Sequence, residues 1–154
     1  MKKLLVYLGL FLGVVSSVSG QSSEGTKSFN LDKSGLALEG FDPVAYFNVG
    51  RAKEGKKEIY TSLLGATYRF SSIANREQFK ANPSKYLPQY GGWCAYAMGK
   101  NAEKVSVDPE TFKVLNGKLY LFYNRFFNNT LKEWNKNENV LKSKADQNWS
   151  KINP

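Results

Sequence analysis

Histidine is absent from all 154 residues, and that one gap removes whole chemistries. Ser-His-Asp and Cys-His catalytic sets cannot be assembled, and no imidazole can ligate haem. Cysteine is almost as scarce: Cys94 stands alone, so no intramolecular disulfide can form and stability must come from packing. Its thiol is either buried or functional. No Gly-rich phosphate loop occurs, since Gly91-Gly92 matches neither nucleotide fingerprint. Zinc-finger, RNP and basic-region zipper patterns are also missing, and no nucleic-acid partner is expected.

Long apolar runs are limited to one, Leu4 to Val15. Preceded by Lys2 and Lys3 and followed by small residues ending Val18-Ser19-Gly20, it reads as a secretory signal (1–20) cut after Gly20. The run is too short for a membrane span, which needs about 20 apolar residues, so no stable span is expected after cleavage. The expected organisation is a signal peptide, a flexible N-terminus (21–28) and one domain (29–154), placed in the periplasm or secreted. The formal net charge is +9; the two leader lysines account for two of those charges, leaving +7. Lysines such as Lys53, Lys57, Lys80, Lys100 and Lys132 are scattered rather than clustered, which suits a solvated basic surface.

What is present reads as short elements. Strand-like segments at 58–63 and 66–71 flank Gly65, and 112–115 and 118–123 flank Asn116-Gly117, the strongest short hairpin signal. Asp108-Pro109 reads as a turn, and Pro43 suits the first position of a short helical turn. Ser71 or Ser72 can cap a helix with Ile73, Ala74 and Phe79 as its apolar positions. After the Gly91-Gly92 turn, 93–98 predicts a short buried helix ended by Gly99. Thr130 with Glu133 fits a capping box, with Leu131 and Trp134 on one face. Leu141, Ala145 and Trp149 form a stripe that docks on a core. The fold class expected is α+β, a small single domain of short antiparallel hairpins with peripheral helices.

The motifs GFDPVAYF (40–47), GATYRFSS (65–72), N-R-x-x-F (75–79), P-x-K-Y-x-P-Q-Y-G-G-W-C-A-Y-A (83–97), NGKLYL (116–121) and A-D-x-N-W (145–149) occur in this order. Together they resemble the YHS domain family in its exported bacterial form. The resemblance spans nearly the whole chain after the leader and implies that family's fold. Metal-associated relatives carry F-C-S-x-x-C where this chain reads Phe70-Ser71-Ser72-Ile73-Ala74-Asn75, and the histidine of the family's name has no counterpart. A zinc site of Cys and His ligands therefore lacks its donors, and neither zinc nor haem is expected.

Candidate site residues gather around these motifs. Asp42, Tyr46, Arg76, Gln89, Gly91, Gly92, Cys94 and Tyr96 are candidates for a small-ligand pocket near the Gly-Gly turn; Arg76 and Asp42 read equally as a structural ion pair, and the tyrosine hydroxyls as partners of backbone groups. Cys94 and Met98 stand four residues apart, which on a helix puts two sulfurs on one face, a soft donor pair suited to Cu(I). Ordinary core packing yields the same spacing. The expected function is a non-enzymatic binding or accessory module for a metal, small ligand or protein partner. Two alternatives stay open: a thiol-dependent redox enzyme using Cys94 near a helix N-terminus, and a purely structural or interaction protein.

Overall fold

The computed structural model describes residues 28–154; the expected leader and residues 21–27 of the expected tail lie outside them. Both hairpin signals are realised. Strands β1 (Lys56–Leu63) and β2 (Ala66–Phe70) pair antiparallel with Thr61 opposite Tyr68, turning through Leu64-Gly65. Strands β3 (Asp108–Leu115) and β4 (Lys118–Phe122) pair with Lys113 opposite Tyr120. Their turn residues Asn116 and Gly117 both have positive φ, 51° and 71°, the left-handed pair that a tight hairpin needs. A third, two-residue pair, β5 (Asn124–Arg125) with β6 (Asn128–Asn129), was not foreseen. Asp108-Pro109 is no free turn: it opens β3, where the register shifts before Phe112. Proline has no N–H for the ladder, and the next N–H, that of Glu110, turns back to the Asp108 carboxylate at 3.0 Å.

The helices surround these hairpins. In α1 (Ala45–Asn48) Pro43 lies two residues before the start rather than at its first position. Ser72 caps α2 (Ile73–Ala81) by accepting the Asn75 N–H at 3.1 Å. Its inward face is Asn75 and Phe79, one above the other at i and i+4; Ile73 and Ala74, expected there, are exposed because they precede that row. Helix α3 (Pro83–Tyr86) buries Tyr86. Helix α4 (Ala95–Asn101) begins after Cys94, runs through Gly99 and stops at left-handed Ala102, φ 59°. Gly99 is therefore a packing glycine, not a terminator: a Cβ there would meet the Leu141 carbonyl oxygen at 2.5 Å. The cap of α5 (Thr130–Lys136) is Asn129, which accepts the Leu131 N–H at 3.1 Å. Thr130 is already helical and Glu133 pairs with Lys136, so the capping box does not form. Helix α6 (Glu138–Ile152) docks Leu141, Ala145 and Trp149 inward, as the stripe predicts.

The result is an α+β fold of one small domain, with six α-helices and three two-stranded antiparallel hairpins among the described residues. Two apolar layers form its core. One gathers Tyr46, Tyr68, Phe70, Phe79, Tyr86, Cys94, Leu119 and Leu121; the other gathers Tyr90, Met98, Tyr120, Phe122, Trp134 and Ala145. Strand β4 feeds both, its alternate side chains pointing to opposite faces. Among the described residues no helix is long and apolar enough to cross a membrane.

Burial pushes the Tyr46, Tyr68 and Tyr90 hydroxyls up, Tyr68 to about 12, and hydrogen bonding to Asp146 adds to the effect at Tyr90. The Lys113 ammonium, hydrogen-bonded to Glu138, holds that carboxyl below its ordinary value. Unfolded tyrosines ionise near about pH 10, so stability is intact below that and falls as pH rises toward the folded values; the Glu138 contribution is present above about pH 4.3 and is lost on acidification. With no histidine to titrate, the urea midpoint is expected to be flat between about pH 5.5 and 9 and to drop on both sides. A step near neutral pH would contradict this. Gly99→Ala is expected to cost about 2 kcal/mol in the same assay, because α4 must back away from Leu141.

Candidate functional site

The sequence candidates separate into four places. Asp42 is fully buried, at the start of the turn into α1, and its carboxylate collects four donors. Oδ1 accepts the Val44 N–H at 2.9 Å; Oδ2 accepts the Ser71 N–H at 2.8 Å, the Ser71 hydroxyl at 2.7 Å and the Asn75 amide at 2.7 Å. Arg76 takes no part. Its Nε donates to Glu77 at 2.9 Å on the surface, which corrects the expected Arg76–Asp42 ion pair: the first turn of α2 offers Asn75 to the core and Arg76 to solvent. Tyr46 lies in the core, donating to the Pro109 carbonyl at 3.0 Å and meeting Phe112 edge-on at 4.8 Å. Each of these buried groups has a partner within the fold, as buried polar groups must.

Gln89 and Gly91 line a cavity of about 320 Å³ beside Tyr90, Asp146 and Trp149. Two of its polar groups are already paired: Tyr90 donates to Asp146 at 2.8 Å, and Lys142 reaches the other Asp146 oxygen at 2.8 Å. Gly92 is buried and its carbonyl accepts the Asn30 amide at 3.1 Å.

Cys94 and Tyr96 come together at a different cavity, of about 280 Å³, between α4, the segment after it and the exit of β4. Left-handed Ala102 turns the chain back, and the Cys94 N–H donates to the Val105 carbonyl at 2.9 Å. On the far side Thr130 donates its hydroxyl to the Tyr123 carbonyl at 2.9 Å. Tyr96, Ala97, Val105 and Tyr123 form apolar walls, with Asn101, Glu103 and Asn128 at the polar edge. Lys100 lies over the Tyr96 ring, its Nζ 5.5 Å from the centroid. Neither the Tyr96 nor the Tyr123 hydroxyl bonds another described residue.

Cys94 is the floor of this cavity and is itself inaccessible, 0% exposed. Sγ accepts the Tyr123 N–H at 3.3 Å and lies 3.5 Å from the Thr130 hydroxyl. It precedes α4 at the capping position, φ −58° and ψ 117°, rather than sitting in the first turn. The pocket reaches Cys94 and not Met98, which is buried in the other apolar layer. Among the described residues no group of three or more His, Cys, Asp or Glu is placed to hold a metal. Tyr123, Lys100 and Thr130 belong to the pocket without having been singled out as site residues: Tyr123 and Thr130 converge on it through pairings distant in sequence, whereas Lys100 stands four residues after Tyr96 on α4, a spacing the sequence could have shown.

No protein-family model matches the chain, and neither a curated protein nor a solved structure matches it.

Removing the Asp42 carboxylate strands buried donors, so Asp42→Ala is expected to cost about 3 kcal/mol. Arg76→Ala, which breaks an exposed pair, is expected to cost less than about 0.5 kcal/mol. Urea denaturation of both variants checks the assignment; equal losses would restore the ion pair.

Proposed function

We propose that the protein is an exported, non-enzymatic binding module of the YHS type whose ligand is a small organic anion with a flat apolar body, seated over Cys94. The ordered motifs from 40 to 149 support the family. The observation that carries the ligand reading is the pocket itself: two aromatic walls whose phenol hydroxyls bond no other described residue, with the Lys100 ammonium above one ring. Flat apolar walls favour a planar ligand, two phenols supply directional hydrogen bonds, and the ammonium favours negative charge at the mouth. The volume, just under the usual range of roughly 300–1,000 Å³ for drug-sized ligands, suits a single ring.

A thiol enzyme is supported less well. A nucleophilic cysteine needs an adjacent base or a depressed pKa and an open approach. Here the groups within hydrogen-bonding distance of Sγ are a hydroxyl and a backbone amide, neither of which takes a thiol proton near neutral pH.

Titrating benzoate into the labelled protein and following amide N–H shifts tests this. Shifts are expected to concentrate at Cys94, Tyr96, Ala97 and Tyr123. Lys100→Glu is expected to weaken binding about fivefold, the scale of one exposed charge contact, and Ala97→Trp, which fills the pocket, to abolish it. No response, or shifts gathered around Gln89, Gly91 and Trp149, would remove the pocket over Cys94 from consideration.

A further inference from the structure

The third hairpin turns through Phe126 and Phe127, whose side chains are 89% and 110% exposed. Both residues have positive φ, 52° and 64°, a region that bulky side chains disfavour. The other two hairpins turn through Leu64-Gly65 and Asn116-Gly117, each with glycine at the second position. Phe-Phe adds strain at the turn and hides no apolar surface in return. Folding stability disfavours these residues on both counts, and such a conflict points to function.

We propose that the Phe126-Phe127 tip is a wedge that inserts into the interfacial region of an anionic lipid surface. The shape selects lipid over protein. A stable protein interface covers about 800 Å² on each partner around an apolar centre, whereas this tip offers two rings on strands of two residues, flanked by exposed Arg125 and Asn128. A lipid interface takes up isolated aromatic side chains without a matching pocket. Charge selects the lipid class. Without the two leader lysines the chain's net +9 becomes +7; Arg125 adjoins the tip, exposed Lys132 stands in the first turn of α5, which β6 feeds, and Lys100 lines the same cavity as Asn128. Of the nearby acids, Glu39 offsets Arg125 at 3.3 Å, while Glu103 and Asp108 accept from the neutral amides of Asn101 and Asn124, each at 3.4 Å. The net positive charge of the domain as a whole draws it to anionic headgroups, and the rings then hold it there.

The test is co-sedimentation of residues 21–154, which hold every described element, with phosphatidylcholine vesicles containing or lacking phosphatidylglycerol. Phe126→Asn/Phe127→Gly installs the preferred turn residues and removes both rings, so the hairpin persists without its apolar tip. Phe126→Trp/Phe127→Trp keeps an aromatic wedge. Wild type and the tryptophan variant are expected to bind the anionic vesicles, more weakly at high salt. The Asn-Gly variant is expected to lose about tenfold or more in partitioning, from the apolar area no longer buried. Absence of wild-type binding, or equal binding by the Asn-Gly variant, would overturn the proposal. So would a wild-type dimer, indifferent to vesicles, that the Asn-Gly variant dissolves, since the rings would then meet a second copy of the chain.

Discussion

Everything in this domain is arranged about β4, a five-residue strand that borders both apolar layers. Leu119 and Leu121 fill one layer while Tyr120 and Phe122 fill the other. Side chains alternate faces along a strand, so a one-residue slip would exchange leucines for large aromatics in both layers at once. The register is held at one end by the Asn116-Gly117 turn and along one edge by pairing with β3. On its other side Leu119 bridges Pro88, which brings the Gln89–Gly92 segment against the second layer. A single hairpin can thus organise a core because both faces of β4 are covered, one by the β1–β2 pair with α2, the other by α4, α5 and α6.

Asp42 performs the corresponding work where no regular pairing is available. Its four accepted bonds join the turn before α1, the end of β2 and the first turn of α2. Each of those segments leaves a backbone or amide donor that the sheet ladder cannot reach, and a buried donor without an acceptor costs more than a made bond returns. One carboxylate with several lone pairs satisfies them together. The arrangement explains why Ser71 and Ser72 divide their labour, the first bonded to Asp42 and the second capping α2.

The sequence disclosed what is local. Asn116-Gly117 and Gly65 marked their turns, Ser72 was among the expected caps, and the Leu141-Ala145-Trp149 stripe docked where its period placed it. The misreadings share one cause, a residue whose partner is distant. Gly99 looked like a terminator until the backbone of Leu141 lay on it. Thr130 looked like a cap, yet its hydroxyl is drawn to Tyr123 by the fold of the β4 exit. Arg76 and Asp42 looked complementary in charge, but the pitch of α2 turns Asn75 inward instead. The pocket was half legible for the same reason: Cys94 and Tyr96 lie in one motif, while Tyr123, Asn128 and Thr130 reach them only because β4 carries the chain back.

That return also accounts for the thiol. Tyr123 follows the last residue of β4, where the ladder has ended and its N–H has lost a strand partner, and Sγ of Cys94 supplies an acceptor at 3.3 Å. A hydroxyl would accept more strongly but would itself need a partner amid Tyr46, Tyr68 and Leu121, the layer to which Cys94 belongs. Sulfur is large enough to fill that space and weak enough as a polar group to tolerate it. Cys94 thus closes the core on one side and floors the pocket on the other. The pocket lies at this seam because a strand leaving its ladder exposes polar groups beside an apolar wall, and that mixture is what a small amphipathic ligand requires.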